Sequence, residues 1–461
     1  MKKGSPFLII LIALVLVIIV SLLPLSRWTG GRVKDFSLFS DILREVGIME
    51  HTDPSQEQID PALLEAMEEP ADPREAPDSV LAQPIDTIMQ APRPSRQGDM
   101  VVIEDYTTSG TGLMWFKDAI ASGQTARVAV VGDSWIEGDI FTQDLRHLLQ
   151  EAHGGRGVGY VSMHTDFPGF RRSVKQGGKG WKTFMANKKA DRAYLDLTEQ
   201  YALPESGVTA TATYAGTDAF AGQTDGRTRS RFLCIAPKGG TVSVKIGDGE
   251  WTERNMEPSD SVECIELTGP ASGFEVKTSS AGIVGLGVWL DTHTGVSLDC
   301  MSSRGFSGIT LTHINPALCR DMARYVDYSL VILEFGINAM SSTQKNYSVY
   351  SSRMVDVINH VRACYPRADI LVMGVGDRGE KRGGAVTSMA TAEAMITAQR
   401  DAARRAHCLF WDTREAMGGE GAIVEWSANG DINKDYIHMT HKGGARLARE
   451  LFNAIEHSLK Q

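Results

Sequence analysis

The fold is decided by one stretch of the chain, Arg127-Val-Ala-Val-Val-Gly-Asp-Ser-Trp-Ile-Glu-Gly138. Its apolar run, residues 128–131, is short and rich in β-branched side chains, which predicts a buried strand of a parallel sheet. The following residues, 141–151, have the apolar spacing of a helix. Ser134 is therefore expected in a strand-to-helix turn at the carboxyl edge of the sheet. This place suits a nucleophile, although a Gly-Asp-Ser triplet alone is typical of an ordinary turn.

Apolar strands and amphipathic helices alternate again after residue 296, which predicts a doubly wound parallel sheet with right-handed crossovers. The fold class is thus α/β, a flavodoxin-like α/β/α arrangement. The predicted strands are residues 330–335, 369–375 and 408–411, and the predicted helices are residues 112–122, 311–325, 349–364, 390–407 and 440–459.

Between about residues 183 and 295 the pattern changes to short alternating runs separated by turn residues. Such runs predict an antiparallel β-sandwich inserted into the α/β domain. Its predicted strands are residues 193–197, 208–214, 241–246, 273–277 and 285–290.

The N-terminus begins Met1-Lys-Lys, and an unbroken apolar run follows from Phe7 to Leu23. At 1.5 Å per residue this run just crosses a bilayer. A cleaved signal peptide is the alternative, but no A-x-A site follows, and Arg27 and Trp28 resemble interfacial anchors. We therefore expect a single-pass signal anchor in the bacterial inner membrane, with the remaining chain in the periplasm.

Residues 35–92 carry fourteen acidic side chains against Arg44 and Arg74, while the whole chain has a net charge of −10. Proline is also concentrated here, with eight of the seventeen prolines in residues 50–97. This composition predicts an extended, solvated linker. The predicted divisions are a cytoplasmic tip (1–6), a transmembrane anchor (7–25), the linker (26–97), the α/β domain in two parts (98–182 and 296–461) and the inserted sandwich (183–295).

The same patterns exclude several classes of ligand. The acidity lies in the linker and no basic surface is evident, so no nucleic-acid partner is expected. The glycine-rich residues 154–160 lack the Lys-Ser/Thr ending of a phosphate loop, so no nucleotide is expected. The six cysteines form no C-x-x-C pair and have no nearby His pair, which argues against zinc, and no metal or other cofactor is predicted. Whether these thiols form disulfides stays open.

Asp435-Tyr-Ile-His438 stands just before the last predicted helix. An Asp and a His at this spacing can share one pocket, where the carboxylate orients the imidazole and the other ring nitrogen acts as a base. Ser134 follows one strand and Asn338 follows a later strand after a glycine. Because parallel strands present their carboxyl ends at one edge, these residues are expected to converge.

With these motifs the sequence resembles the SGNH, or GDSL-type, hydrolase superfamily over residues 110–182 and 296–461. The resemblance implies Ser134 as the nucleophile, His438 as the base and Asp435 as the orienting acid. It also implies an oxyanion hole formed by the Ser134 N–H, the Asn338 amide and a glycine N–H. Gly305 is the best match for this glycine and Gly308 the weaker one. Ala339 departs from the family, where many members have Asp.

A narrower similarity concerns envelope carbohydrate esterases that remove O-acetyl groups from peptidoglycan. It rests on the inserted sandwich, on Met417-Gly-Gly419 and on His438-Met-Thr-His-Lys-Gly443. It implies an acylated polysaccharide as the substrate and a carbohydrate-binding role for the sandwich. An O-acetyltransferase with the same triad and a catalytically silent glycan-binding scaffold remain alternatives.

Five further side chains are candidates for roles near this pocket. Trp135, Trp426, Asp377 and Arg378 are candidate substrate contacts, although packing is the more common role of Trp and a structural ion pair that of Asp and Arg. His441 is one helical turn after the Asp–His pair and could replace His438 as the base, but a surface role fits its position better.

Overall fold

The computed structural model describes residues 96–217, 228–269 and 273–461. The predicted membrane anchor and nearly all of the predicted linker lie outside these residues. Within the described residues, no helix has both the length and the apolar character needed to cross a bilayer.

The described elements are numbered here in chain order. The strands are β1 (Arg96–Gln97), β2 (Met100–Val101), β3 (Glu104–Asp105), β4 (Thr125–Gly132), β5 (Gly159–Val161), β6 (Lys175–Lys179), β7 (Trp181–Met185), β8 (Gln200–Pro204), β9 (Ala210–Ala215), β10 (Arg229–Ala236), β11 (Gly240–Ile246), β12 (Thr252–Met256), β13 (Ser259–Thr268), β14 (Gly273–Thr278), β15 (Val284–Asp291), β16 (Gly295–Ser302), β17 (Leu330–Glu334), β18 (Asp369–Met373), β19 (Gly379–Arg382), β20 (Ala385–Ser388) and β21 (Leu409–Trp411). The α-helices are α1 (Met114–Ala121), α2 (Thr142–His153), α3 (Pro316–Met322), α4 (Ser348–Cys364), α5 (Ala392–Arg405), α6 (Thr413–Met417), α7 (Ala422–Ala428) and α8 (His441–Leu459). Short 3-10 helices cover Glu137–Asp139, Arg192–Tyr194, Ile309–His313 and Ile337–Ala339.

The central sheet has the strand order β16-β4-β17-β18-β21-β3. All neighbours are parallel except β3, which pairs antiparallel with β21 at the edge. Taken along the chain, the five parallel strands have the order 2-1-3-4-5, which is that of flavodoxin-like folds. The predicted doubly wound α/β fold is confirmed, and the strand order reverses beside β4, the strand that precedes Ser134.

Apolar side chains of β4 alternate between the two faces of this sheet, as expected for a strand covered on both sides. Val128 and Val130 share one apolar cluster with α2 and α8. Ala129 and Val131 share the other with α4 and α5. The central strand is therefore fully buried, and the residues that follow it are held by a rigid support.

Two antiparallel sheets form the inserted region. One has the order β13-β10-β15-β8-β7, with β5 paired to β15, and the other has the order β12-β11-β14-β9-β6. Phe232 and Val288 of the first sheet share a buried apolar cluster with Val244 and Phe274 of the second, so the sheets pack as a sandwich. Its strands begin at Gly159, before the predicted boundary at residue 183, because β5 to β7 are only three to five residues long and β6 contains two glycines, so they give little periodic signal.

A buried group of charges joins this sandwich to the central sheet. Asp291, at the end of β15, binds Arg127 of β4 and also Arg229 and Arg231 of β10. Burial opposes ionisation of this carboxyl, but the three guanidinium groups hold its pKa well below the usual value. An ion pair of this kind is costly to break once buried, which fixes the sandwich against β4.

Two predicted elements differ from the structure. Residues 193–197 were expected as a strand, but Arg192–Tyr194 form a 3-10 helix capped by Asp191, whose carboxylate accepts from the Ala193 N–H. The predicted helix 311–325 is two pieces, a 3-10 helix and α3. The break occurs because Asn315 caps α3 and Pro316 occupies its first turn, where proline is tolerated but a continuing helix is not.

Candidate active site

Ser134 lies just past the carboxyl end of β4, in a turn that only a glycine at position 132 allows. A Cβ atom on Gly132 would come within 2.6 Å of the Glu334 carbonyl oxygen on the neighbouring strand. The absence of a side chain therefore lets β4 and β17 approach closely where both chains leave the sheet. Ser134 itself is half-buried, so the residue is partly accessible to solvent.

The structure brings Ser134, His438 and Asp435 into one hydrogen-bonded chain, although Ser134 and His438 are 304 positions apart. The Ser134 Oγ is 2.9 Å from His438 Nε2. On the other side of the ring, His438 Nδ1 is 2.9 Å from Asp435 Oδ2. These partners assign the imidazole tautomer: Nδ1–H donates to the carboxylate, and Nε2 is left to accept from the hydroxyl.

Hydrogen bonds stabilise the ionised form of the Asp435 carboxylate. Its second oxygen, Oδ1, accepts from the backbone N–H groups of Ile437 at 2.9 Å and His438 at 3.0 Å. Partial burial acts to raise the pKa of this group, but the hydrogen bonds from His438 and the two N–H groups outweigh it and keep the pKa below its usual value. A fixed negative charge therefore faces the imidazole.

Contacts on both sides hold the loop that carries this Asp–His pair. Ile432 and Met439 form a single antiparallel bridge across its base, and the Asn433 N–H donates to the His438 carbonyl. The Trp135 Nε1–H donates to the Ile437 carbonyl at 2.8 Å. The residue after the candidate nucleophile therefore fixes the segment that contains the candidate base.

Trp135→Phe tests this positioning role. The substitution removes the only side-chain donor of Trp135 and leaves the buried Ile437 carbonyl without it, at a cost of about 1–3 kcal/mol. We expect kcat for ester hydrolysis to fall about tenfold with little change in KM, because the loop holds His438 less precisely. Steady-state kinetics together with urea unfolding would measure both effects.

Trp411→Phe is the matched control, since the Trp411 Nε1–H also donates to a backbone carbonyl, that of Val101, at 3.0 Å. This bond lies on β21, three strands away from β4 in the central sheet. The control is expected to lose a similar amount of stability and to keep its kcat. An equal loss of kcat in both variants would mean that Trp135 has only a structural role.

Asn338 lies at the end of the neighbouring strand, β17, and its side chain is 8% exposed. Its amide nitrogen is 3.0 Å from Asp133 Oδ2 and 3.0 Å from the Phe306 carbonyl oxygen. Both of its hydrogens thus have a protein acceptor. Donation to an oxyanion, which the sequence predicts, therefore requires one of these hydrogens to be shared or redirected when substrate binds.

Two buried carboxyl groups lie beneath the Ser134 turn. Asp133 accepts from the Trp135 N–H at 3.0 Å in addition to its bond with Asn338. Glu334 is buried beside it, and its Oε2 has no hydrogen-bond partner among the described residues. Burial, reinforced by the nearby charge of Asp133, raises the pKa of Glu334 well above its usual value. A buried carboxyl group with a raised pKa therefore lies beneath the site, which the sequence did not indicate.

The two candidate oxyanion glycines have different surroundings. Gly305 has φ = 82° and is exposed, with no atom within 4 Å of where a Cβ would stand. Gly308 is buried, and a Cβ there would come within 2.8 Å of the Phe335 ring. Gly305 is open to a substrate, whereas Gly308 is packed against Phe335, so Gly305 stays the preferred prediction.

The four predicted substrate contacts require correction, because their side chains are inside the protein and are 2% exposed or less. Trp135 binds the loop described above, and the Trp426 Nε1–H donates to the Met417 carbonyl. Asp377 accepts from Arg414, and Arg378 donates to the Ile337 carbonyl, next to Asn338. These four side chains are thus buried behind the site and contact other parts of the protein.

His441 does not take the place of His438 in the hydrogen-bonded chain. It lies in the first turn of α8, where its Nδ1 is 3.2 Å from Gln143 Nε2 on α2. Within residues 96–217, 228–269 and 273–461, no group of three or more His, Cys, Asp or Glu side chains is arranged to hold a metal ion.

Known proteins resemble this chain in one sequence segment and in its fold. Residues 275–446 match the GDSL-like Lipase/Acylhydrolase family. A solved structure of a peptidoglycan O-acetylesterase is similar, with a TM-score of 0.64 and 23% identity over 78% of this chain and 99% of that one. A family two carbohydrate esterase from Cellvibrio japonicus aligns with a TM-score of 0.27 and 11% identity over 62% of this chain and 98% of that one. Among curated proteins, no sequence matches the chain.

Residues 275–446 of this protein, which contain Asn338, Asp435 and His438, are therefore similar to the GDSL-like lipases and acylhydrolases. Its fold resembles that of the peptidoglycan O-acetylesterase over nearly the whole length of that chain.

Proposed function

We propose that this chain is a serine esterase that removes O-acetyl groups from a cell-envelope polysaccharide such as peptidoglycan. The observation that carries the proposal is the hydrogen-bonded chain from Ser134 through His438 to Asp435 at the carboxyl edge of the sheet. The likeness in fold to a peptidoglycan O-acetylesterase supports the choice of acyl group and polymer.

The reaction begins when His438 Nε2 takes the proton of the Ser134 hydroxyl and the Oγ atom attacks the ester carbonyl carbon. The π electrons of the C=O bond move onto the carbonyl oxygen, which becomes negatively charged. The N–H groups of Ser134 and Gly305 and the Asn338 amide are assigned to that oxygen, where losing one donor costs about 3 kcal/mol. Asp435 stabilises the imidazolium that has formed.

When the intermediate collapses, the bond to the sugar oxygen breaks and His438 returns its proton to that oxygen. The sugar hydroxyl leaves, and the acetyl group remains as an ester on Ser134. Water then loses a proton to His438 and attacks this ester, which releases acetate and restores the serine. No metal or other cofactor enters any of these steps.

The proposal extends to where the protein works. The apolar run Phe7 to Leu23 is proposed to anchor the chain in the inner membrane, and the acidic linker to extend the catalytic domain into the periplasm. A polymeric substrate in the cell envelope would be reached from such a tether.

The test uses the full-length chain with a chemically O-acetylated chito-oligosaccharide, and follows free acetate and the masses of the sugars. We expect acetate to be released in step with the loss of O-acetyl groups. A second, unacetylated oligosaccharide is included as an acceptor. If acetyl groups accumulate on the acceptor and free acetate does not appear, the protein is a transferase. If neither occurs and p-nitrophenyl acetate is also untouched, the esterase proposal is wrong.

A further inference from the structure

A loop beside the candidate active site presents an exposed aromatic surface that no catalytic step uses. It consists of Phe167-Pro168-Gly169-Phe170 together with Arg304, and it is called the Phe167–Phe170 shelf below. These residues line a surface cavity of about 380 Å³. Phe167 is 61% exposed and Phe170 is 39% exposed, and they are two of the three exposed Phe or Trp side chains among the described residues.

The shelf is continuous with the segments that carry the candidate nucleophile and the oxyanion glycine. The Phe170 ring lies against Gly138, where a Cβ would come within 2.9 Å of it. Arg304, directly before Gly305, donates to Glu137 at 2.7 Å, and its guanidinium is 5.9 Å from the centre of the Phe167 ring. Glu137 follows Ser134 by three positions and Arg304 precedes Gly305, so the shelf contacts the two segments that carry these candidate site residues.

The shelf is also held in place before any ligand binds. The Phe170 N–H donates to the Phe167 carbonyl at 3.0 Å, which closes a tight turn. The next residue, Arg171, donates to the carbonyls of Tyr160 and Val158 at 2.7 and 2.8 Å and pairs with the buried Asp139. Two exposed phenylalanines on a fixed turn cost free energy in water, which is expected where a surface has a binding role.

We propose that the Phe167–Phe170 shelf binds the sugar rings that flank the ester-bearing residue of a polysaccharide. Pyranose rings present flat C–H faces, which pack on the faces of aromatic rings, and their hydroxyl groups can accept from the Arg304 guanidinium. A polymer extends beyond the acyl group that enters the Ser134 pocket, so the surface next to that pocket must contact its sugars. This inference rests on the proposed esterase function and names the subsite that selects a polymer over a small ester.

The test compares two substrates of the full-length chain, a chemically O-acetylated chito-oligosaccharide and p-nitrophenyl acetate. For Phe167→Ala we expect the ratio of the two kcat/KM values, oligosaccharide over small ester, to fall about tenfold through a higher KM for the oligosaccharide. Phe167→Tyr keeps the flat ring and is expected to retain this ratio within about twofold.

Met114→Ala is the matched control, because Met114 is also an exposed apolar side chain, 38% exposed. It begins α1, which contacts the opposite edge of the sheet, where the Phe116 N–H donates to Asp369 at the start of β18. The ratio should not change in this control. An unchanged ratio in Phe167→Ala, or an equal fall in the control, would overturn the proposal.

Binding provides a second measurement that does not depend on turnover. Calorimetry with Ser134→Ala and an unacetylated chito-oligosaccharide is expected to give an affinity that Phe167→Ala lowers about tenfold. If the wild type cleaves neither substrate, the esterase proposal fails, but this measurement still shows whether the shelf binds sugars. No loss of affinity on adding Phe167→Ala, or selective binding of lipid vesicles to the shelf, would count against a sugar subsite.

Discussion

Ser134→Ala is expected to lower kcat/KM for p-nitrophenyl acetate by about 10⁴-fold or more, to near the background rate. The hydroxyl is the atom that would form the covalent intermediate, and its removal leaves His438 with a proton-accepting nitrogen and no nucleophile to activate. The loss should be similar for an acetylated oligosaccharide, because both esters pass through the same acyl-serine. Stopped assays that follow p-nitrophenol and acetate would measure it.

The fold should tolerate this substitution, since Ser134 is half-buried and its Oγ contacts a half-exposed imidazole. We expect the free energy of unfolding to change by less than about 1 kcal/mol. Ser352→Ala, on the exposed surface of α4, is the control and should retain full activity. A rate in Ser134→Ala equal to that of the wild type would remove the nucleophile assignment and, with it, the acyl-serine mechanism.

The sequence was sufficient for the parts of the site that depend on strand ends. Apolar runs before Ser134 and Asn338 predicted buried parallel strands, and parallel strands necessarily present their carboxyl ends at one edge. The Asp435–His438 spacing placed the pair in a single loop before a helix. Local pattern therefore predicted which residues meet, because the topology of a doubly wound sheet leaves little freedom at its edge.

The sequence was not sufficient for contacts that arise from packing between distant segments. Nothing in the pattern around Trp135 indicates that its indole would bind the Ile437 carbonyl, and an aromatic side chain next to a nucleophile suggested substrate contact instead. The same applies to Trp426 and to the Asp377–Arg414 pair, which are buried behind the site. Burial is a property of the whole fold, and a short window of residues does not encode it.

The Phe167–Phe170 shelf shows the converse case. Its two phenylalanines lie in a stretch without helical or strand periodicity, where apolar residues give no structural signal. Its position near the candidate site became evident only in the structure, where the contacts of Arg171 with β5 hold it beside Gly138. An aromatic pair in an irregular loop that follows a predicted nucleophile segment is a signal that could have been weighed from the sequence alone.

Asp435→Asn is the other substitution for which we expect a very large effect, a fall in kcat of about 10³- to 10⁴-fold. The Asn carbonyl oxygen can still accept from the N–H groups of Ile437 and His438, so the loop should keep its shape. Its amide, however, donates where the carboxylate accepted. The imidazole must then accept at Nδ1 and carry its proton on Nε2, which faces Ser134 and can no longer remove the hydroxyl proton.

Kinetics at several pH values, measured together with unfolding, separate this tautomer effect from a loss of structure. Because hydrogen bonds keep the pKa of Asp435 below its usual value, the wild-type carboxylate stays ionised through the neutral range, and protonation of Asp435 does not limit the rate there. Asp191→Asn is the control: Asp191 also accepts from a backbone N–H two residues ahead, at 3.0 Å, but faces no imidazole. It should retain wild-type kcat at every pH, whereas Asp435→Asn should be slow throughout the neutral range with nearly unchanged unfolding. If the Asp435→Asn variant hydrolysed the ester at the wild-type rate, His438 would keep its productive tautomer without the carboxylate. Asp435 would then have no orienting role.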